Sequence, residues 1–359
     1  MHMTDQIKVS QEQFNQQLEI IRLGHYAQKV IFVDGQAGCG KTLFSPVIAA
    51  LERVELLTYA YNIEYICSLY YLGKMSSDAA NSMVRLWTDL QLYNTMMGRE
   101  INFRPSDLSS AFMDINPWRY LQRIFMKGDE HTPARIEAQQ PILNLTTHNL
   151  LPIADPVMAG LGDRAVFIEI VRHPLYMIKQ QDLNMANVIE DTRDFSIYFR
   201  WGNRQIPYWA RGWEDRYVAS NSMERTIYGI EYLTALTAKK KALYQEKYQS
   251  TIVTIPFEQF VLNPWEYMEQ MTKAIGTQMT PATYRVLKKQ NVPRKRIADG
   301  IALEIYKRCG WVPPQAGADE RAELNNRRKI AEKQASPEAM AALDRLSRDY
   351  EHKYMVGLL

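Results

Sequence analysis

The sequence has few cysteines and little net charge. Cys39, Cys67 and Cys309 are the three cysteines among 359 residues; they are widely separated and form no CxxC pair. This spacing argues against a disulfide framework or a zinc site and favours a reducing compartment. The net charge is only +3, with basic residues spread along the chain. A nucleic-acid partner is therefore not expected, and any bound anion should be small and local.

Long hydrophobic runs are also missing. The most apolar segment, "LLTYAYNIEYICSLYYLG" from Leu56, is interrupted by Asn62 and Glu64 well short of a membrane-spanning length. The first twenty residues have no apolar core of the kind found in a signal peptide. We expect a soluble, cytoplasmic protein with one large domain over residues 1–359. The sequence makes no prediction of the oligomeric state.

Strand-like segments alternate with helical ones along the chain. The strand-like segments are "KVIFVD", "PILNL", "AVFIEIV" and "STIVTIP", which begin at residues 29, 141, 165 and 250. Continuous apolar runs of this length, with helical patterns between them, are typical of a buried parallel sheet. The predicted fold is therefore α/β, a three-layer phosphate-loop fold with a central parallel sheet.

Two helical regions are predicted outside this alternation. Residues from about 55 to 135 are rich in Tyr, Met and Leu and are interpreted as a helical insertion. A C-terminal helical extension is expected over about 315–359, where Ser336 and Pro337 are typical of a helix start. The charged stretch "WVPPQAGADERAELNNRRKIAEKQ" from residue 311, which overlaps the start of this extension, predicts a surface excursion.

The stretch "GQAGCGKT", Gly35 to Thr42, fits the phosphate-loop pattern G-x-x-x-x-G-K-[ST] in full. It lies between a predicted strand and a predicted helix, as the pattern requires. Glycines allow successive backbone N–H groups to converge on a phosphate, and the helix N-terminus and Lys41 add positive charge. A bound nucleotide phosphate is therefore expected.

Two further polar residues follow predicted strands. His148, in "LTTHNLLP", comes just after "PILNL", and Arg172 follows "AVFIEIV". Parallel sheets place their chemistry at the carboxyl ends of strands, where His148 would be a general base and Arg172 a phosphate ligand. Each has a structural alternative: His148 could satisfy loop backbone, and Arg172 could pair with Glu169 or another acid.

Taken in order, "FVDGQAGCGKTLF", "LNLTTHNLLP", "VFIEIVRHPLYMIKQ" and "TIVTIPFEQFVLNPWEYMEQMTKAIG" resemble the sulfotransferases that use 3′-phosphoadenosine 5′-phosphosulfate, PAPS. The resemblance spans about residues 28–276, apart from the helical insertion. It implies a donor site in which the loop holds the 5′-phosphosulfate and Arg172 the 3′-phosphate. PAPS would be the cosubstrate, and 3′-phosphoadenosine 5′-phosphate, PAP, the product.

Several residues depart from the family pattern. Thr146 and Gly38 stand where the family has lysines, and the resemblance implies that Lys41 supplies the charge beside the bridging oxygen. Gln180 replaces a serine, and "VPRKRIADG" is a loose counterpart of the basic loop over the 3′-phosphate. The residues expected to bind the nucleotide are Gly35, Gly38, Cys39, Gly40, Lys41, Thr42, Arg172, Gln180, Arg294, Lys295 and Arg296.

The resemblance implies a sulfuryl transfer in which His148 is the catalytic base and Lys41 stabilises the leaving phosphate. The acceptor would be a hydroxyl, or with less support an amine, of a glycan or small molecule, and no metal is required. A kinase using magnesium-ATP through Thr42 remains an alternative, although no later strand ends in the expected aspartate. A nucleotide-regulated binding module is the third possibility.

Overall fold

The computed structural model describes residues 18–105, 107–187, 194–300 and 319–358. Its strands are β1 (Val30–Asp34), β2 (Thr58–Tyr59), β3 (Leu143–Thr146), β4 (Ala165–Val171), β5 (Tyr198–Trp201), β6 (Arg204–Pro207) and β7 (Thr251–Pro256). Five of them form one sheet in the order β2-β3-β1-β4-β7, with every neighbouring pair parallel. Strands β5 and β6 form a separate antiparallel hairpin.

The helices up to the hairpin are α1 (Lys41–Ala49), α2 (Tyr61–Tyr71), α3 (Ser77–Met97), α4 (Trp118–Ile124), α5 (Thr132–Gln139), α6 (Asp155–Leu161) and α7 (Pro174–Asn187). Those after it are α8 (Glu214–Ala219), α9 (Ser222–Tyr248), α10 (Phe257–Leu262), α11 (Trp265–Ile275), α12 (Pro281–Lys289), α13 (Glu320–Glu332) and α14 (Pro337–Tyr354).

The sheet has a hydrophobic core on each face. In β1, Ile31 and Val33 belong to one apolar cluster with α1, α9 and the C-terminal helices. Val30 and Phe32, which point the opposite way, belong to a second cluster with α2, α3 and α6. A parallel sheet needs helices on both faces because its strands are apolar on both. The predicted α/β fold with a central parallel sheet is confirmed, and all four predicted strands are present.

The C-terminal region buries more of its residues than its charged sequence predicts. Helix α13 buries Leu324, Arg327 and Ala331, so the prediction of a surface excursion is wrong for this helix. Residues 311–318 of that stretch lie outside the described residues. The predicted start of α14 is confirmed, since the Ser336 hydroxyl accepts a hydrogen bond from the Ala339 N–H.

Two other predictions concern cysteines and membranes. Cys39 and Cys67 are buried free thiols, whereas Cys309 lies outside the described residues. Within the described ranges, no helix combines the length and the apolar character needed to cross a bilayer.

Candidate active site

The phosphate loop connects β1 to α1 and has the backbone that its glycines predict. Gly40 immediately precedes α1 with a φ of 106°, a left-handed conformation that favours glycine. A Cβ at this position would lie 2.5 Å from the ring of Phe257, which packs against the loop from the start of α10. Gly40 is therefore required both by its dihedral angle and by this close approach.

Lys41 lies inside the loop, not in solvent. Its Nζ donates hydrogen bonds to the carbonyl oxygens of Gly35, at 2.5 Å, and Gln36, at 3.1 Å, and the residue is only 8% exposed. Its charge also counteracts, in part, the burial that raises the pKa of the Cys39 thiol. The ammonium group thus supplies positive charge at the centre of the predicted phosphate cradle.

Asp34 joins the phosphate loop to the turn that carries His148. Its carboxylate accepts hydrogen bonds from the Thr147 hydroxyl at 2.8 Å and from the N–H groups of Leu150 and Leu151, at 3.0 and 2.8 Å. Asp34 is 1% exposed, and these charge-assisted bonds are strong in such surroundings. The last residue of β1 therefore fixes the position of the turn after β3.

Glu64 of α2 orients the predicted base. Its Oε1 accepts a hydrogen bond from the His148 backbone N–H at 2.8 Å and lies 3.2 Å from the ring Nδ1. The imidazole also lies nearly parallel to the rings of Tyr59 and Tyr61, with centroids 6.2 and 6.1 Å away. A carboxylate can only accept, so this contact favours the neutral tautomer with its hydrogen on Nδ1, in which Nε2 has the lone pair that can accept a proton.

His148 and the phosphate loop line the same cavity. This cavity has a volume of about 410 Å³ and is bounded at its polar end by Lys41, Thr42, Ser45, Thr146 and His148. The Ser45 and Thr146 hydroxyls lie 3.0 Å apart, which connects α1 to β3 beneath the base. The structure therefore brings together the two residues that the sequence analysis assigns to catalysis, His148 and Lys41.

Arg172 approaches the loop from the opposite side, at the end of β4. Its Nη1 donates a hydrogen bond to the Gly38 carbonyl at 2.9 Å. Its buried Nε has no hydrogen-bond partner among the described residues; the nearest carboxylate, Glu258, is 3.9 Å away, beyond hydrogen-bond reach. Glu169 instead pairs with Lys241 at 2.5 Å, so the alternative of a pair with Glu169 is wrong, whereas a pair with another acid is present in the long ion pair with Glu258.

Two further arginines gather beside Arg172 around two aromatic rings. The Cζ of Arg172 lies 4.2 Å from the Phe257 ring centroid and 5.0 Å from that of Tyr176. Arg294 lies 5.6 Å from the same Phe257 ring, and Arg327 lies 4.6 Å from the same Tyr176 ring. We call Arg172, Arg294 and Arg327 the arginine cluster.

The positive charges of the arginine cluster repel one another. Burial and the neighbouring charge of Arg172 lower the pKa of Arg294 to about 10. The pKa of Arg327 is also lowered, mainly by burial, although the adjacent Glu323 carboxylate opposes this shift. Several positive charges that are partly buried and close together favour the binding of an anion. The anion compensates both the loss of hydration and the mutual repulsion of the guanidinium groups.

The remaining predicted ligands differ in their distance from the loop. Gln180 is near it: its Oε1 lies 3.3 Å from where a Cβ on Gly38 would be. The next residue, Gln181, donates a hydrogen bond to the Ala37 carbonyl at 3.0 Å. Lys295 and Arg296 are exposed on the loop that follows α12, and their role as ligands stays a prediction.

Three residues of the site are not predicted from the sequence. Glu64 is noticed only as an interruption of an apolar segment, and its spacing from Tyr61, one turn earlier in α2, is the signal that both share a helix face. Arg327 falls in a stretch interpreted as a surface excursion. Gln181 is adjacent to a predicted ligand but receives no role.

Comparisons with known proteins find similarity among solved structures only. No protein-family model and no curated protein matches the chain. The sulfotransferase domain of the Synechococcus PCC 7002 olefin synthase is 12% identical, with a TM-score of 0.39, over 93% of this chain and 98% of that one. The sulfotransferase domain from the curacin biosynthetic pathway is 11% identical, with a TM-score of 0.38, over 86% and 99%.

A third similar structure is a sulfotransferase from Alicyclobacillus acidocaldarius, 12% identical, with a TM-score of 0.33, over 90% of this chain and 96% of that chain. All three bear the name of the family that the sequence motifs resemble. At such low TM-scores large parts of the chains do not superimpose, so the fold described above rests on the sheet order and the phosphate loop of this chain.

Proposed function

We propose that the protein is a sulfotransferase that transfers the sulfuryl group of PAPS to an acceptor hydroxyl. The observation that carries this proposal is the shared cavity, which is lined both by His148 and by Lys41 and Thr42 of the phosphate loop. A base and an anion-binding loop on one cavity wall are the two components that an in-line group transfer requires.

The arginine cluster supports a donor with a second phosphate. The orphaned Nε of Arg172 is a buried donor that a phosphate oxygen would satisfy. The loop would hold one anion at the start of α1, and the cluster, which contacts the same loop through the bond from Arg172 to Gly38, would hold another. These residues fit a nucleotide that carries phosphate at both its 5′ and 3′ positions.

The residues of the cavity have separate roles in the proposed transfer. His148 Nε2 would take the proton of the acceptor hydroxyl while the acceptor oxygen forms its bond to sulfur. The donor supplies the sulfuryl group, whose bond to the 5′-phosphate oxygen breaks and leaves its electron pair on that oxygen. Lys41 and the loop N–H groups would stabilise this charge, and Glu64 would keep the imidazole in the correct tautomer.

The test is a calorimetric titration with PAP and with ATP, each with and without magnesium. We expect tight, metal-independent binding of PAP, weakened about tenfold to a hundredfold in Arg172→Ala, because charged hydrogen bonds to phosphate are lost. The control is Arg99→Ala, which removes an arginine whose side chain is 54% exposed in a surface ion pair with Asp129.

Two results would contradict the proposal. Magnesium-dependent binding of ATP that is indifferent to a 3′-phosphate would favour the kinase alternative, which the pair Lys41 and Thr42 also permits. Binding of PAP without any PAPS-dependent transfer to acceptors would favour a nucleotide-regulated binding module.

A further inference from the structure

The cavity at His148 changes character away from the phosphate loop. Its polar groups lie around the first turn of α1 and the end of β3, as described above. Most of the wall beyond them is aliphatic or aromatic and comes from three segments: the last turn of α1, the chain before β2, and residues 108–115. The main contributors are Ala50, Leu56, Leu57, Leu108, Phe112 and Met113.

The cavity is elongated along α1. Thr42, in the first turn, and Ala50, just after the last turn, both line it. At 1.5 Å per helical residue these positions are about 12 Å apart along the helix axis. A molecule reacting at His148 would therefore place the rest of its length against the apolar wall beside α1.

The outer wall of the cavity is also apolar. Phe112, Met113 and Ile115 are 47%, 43% and 39% exposed although they are large hydrophobic residues. The intervening Asp114 is turned away from solvent and bonds to Arg119 at 3.1 Å. Lys289 and Gln290 are the other polar residues on this part of the wall. Such a surface lacks the density of hydrogen-bonding groups that a sugar ring needs.

We propose that the acceptor is an alcohol at the end of an aliphatic chain, with the hydroxyl at His148 and the chain along α1. This inference rests on the proposed sulfuryl transfer and specifies its acceptor. The bond that forms is from sulfur to the alcohol oxygen, and the proton moves to His148. Moving the aliphatic chain from water to the apolar wall contributes free energy of binding. A glycan of similar size has far less apolar surface to transfer.

The experiment measures PAPS-dependent sulfation of butanol, hexanol, octanol and decanol, with glucose and phenol as comparison acceptors. We expect kcat/KM to rise about threefold to fourfold per added methylene until the cavity is filled. Octane-1,8-diol has the same chain but places a second, hydrated hydroxyl against the apolar wall, so it should react more slowly than octanol.

A pair of variants locates the aliphatic chain. Met113→Gln changes an exposed residue of the cavity wall and should raise KM for octanol about tenfold while leaving PAP affinity unchanged. Phe125→Gln is the matched control, because Phe125 is 87% exposed in the same region and does not line the cavity. Equal effects of the two variants would overturn the assignment.

Alcohol binding measured by calorimetry with PAP present separates this inference from the function on which it rests. Affinity that rises with chain length supports the apolar acceptor site even if no sulfate is transferred. Transfer to glucose or phenol with no dependence on alcohol length would overturn the acceptor assignment and leave the sulfotransferase proposal intact. Chain-length-independent binding of the alcohols would also overturn it.

Discussion

The two sides of the phosphate loop differ in how they hold their functional groups. On the β3 side, the His148 side chain is 43% exposed, is oriented by one carboxylate and faces a cavity. On the β4 side, the Arg172 side chain is 16% exposed and lies against two aromatic rings near two other arginines. Arg172 also lines a cavity, of about 430 Å³, together with Gly35 and Gln36 of the loop. Both sides therefore have room for a bound molecule, and they differ in the charge and the burial of their functional groups.

This difference matches the demands of the two proposed tasks. A base must reach the acceptor and exchange protons, so it needs space and only one orienting partner. A site that holds an anion benefits from dehydration, because charge interactions strengthen as water is excluded. Changes on the β3 side should therefore affect turnover, and changes on the β4 side should affect donor binding.

The largest expected effect is that of His148→Ala. Removing the base should lower kcat by a factor of about 10² to 10⁴, while the PAP dissociation constant remains that of the wild type. Steady-state kinetics and PAP calorimetry on the same preparation measure the two quantities. If PAP affinity fell together with kcat, turnover and donor binding would not be divided between the β3 side and the β4 side.

Glu64→Gln is the companion variant on this side. The amide can still accept from the His148 N–H groups but carries no charge, so kcat should fall less than in His148→Ala. Steady-state kinetics of the two variants side by side measures this difference, and an equal loss of kcat in both would mean that the charge of Glu64 is as important as the imidazole itself.

An intermediate effect is expected from Arg327→Ala. Loss of one guanidinium from the arginine cluster should weaken PAP binding about tenfold, with kcat at saturating PAPS little changed. Arg328→Ala is the matched control: each arginine has a carboxylate partner, Glu323 for Arg327 at 2.7 Å and Asp344 for Arg328 at 2.8 Å, but only Arg327 belongs to the arginine cluster. If both variants bind PAP as the wild type does, Arg327 has only a structural role.

The smallest effect concerns how α14 is attached to the β4 side. His173 is fully buried, its Nε2 lies 3.1 Å from Glu351 of α14, and burial lowers its pKa below 6.5. The unfolded chain therefore binds the proton first as pH falls, and the free energy of unfolding should decrease below about pH 6.5.

His173→Asn cannot titrate in this range, so it should lose that part of the pH dependence. The stability difference between wild type and variant should shrink as the pH falls from neutral, by at most about 1.4 kcal/mol per pH unit. Urea denaturation at several pH values measures it. A difference that stays constant with pH would mean that His173 does not titrate between the folded and unfolded states.

Structural features that depend on neighbouring residues are the ones that the sequence predicts best. The phosphate loop, the four long strands of the sheet and the start of α14 follow from short apolar runs, glycine spacing and a capping serine. Strand β2 is not predicted because two residues cannot show a period. The hairpin strands β5 and β6 are as long as β3, but their sequences, YFRW and RQIP, contain no continuous apolar run. The buried face of helix α13 is missed because it consists of only three residues in a highly charged sequence.

Sequence alone determined that a phosphate loop precedes a helix and that a histidine and an arginine follow strands, because each depends on the local preferences of consecutive residues. Only the tertiary structure decided which residues surround them. Glu64 reaches His148, and Arg327 reaches the neighbourhood of Arg172, from segments far away along the chain. Such pairs are formed by packing helices against the sheet, and no local pattern encodes which helix face will meet which strand end.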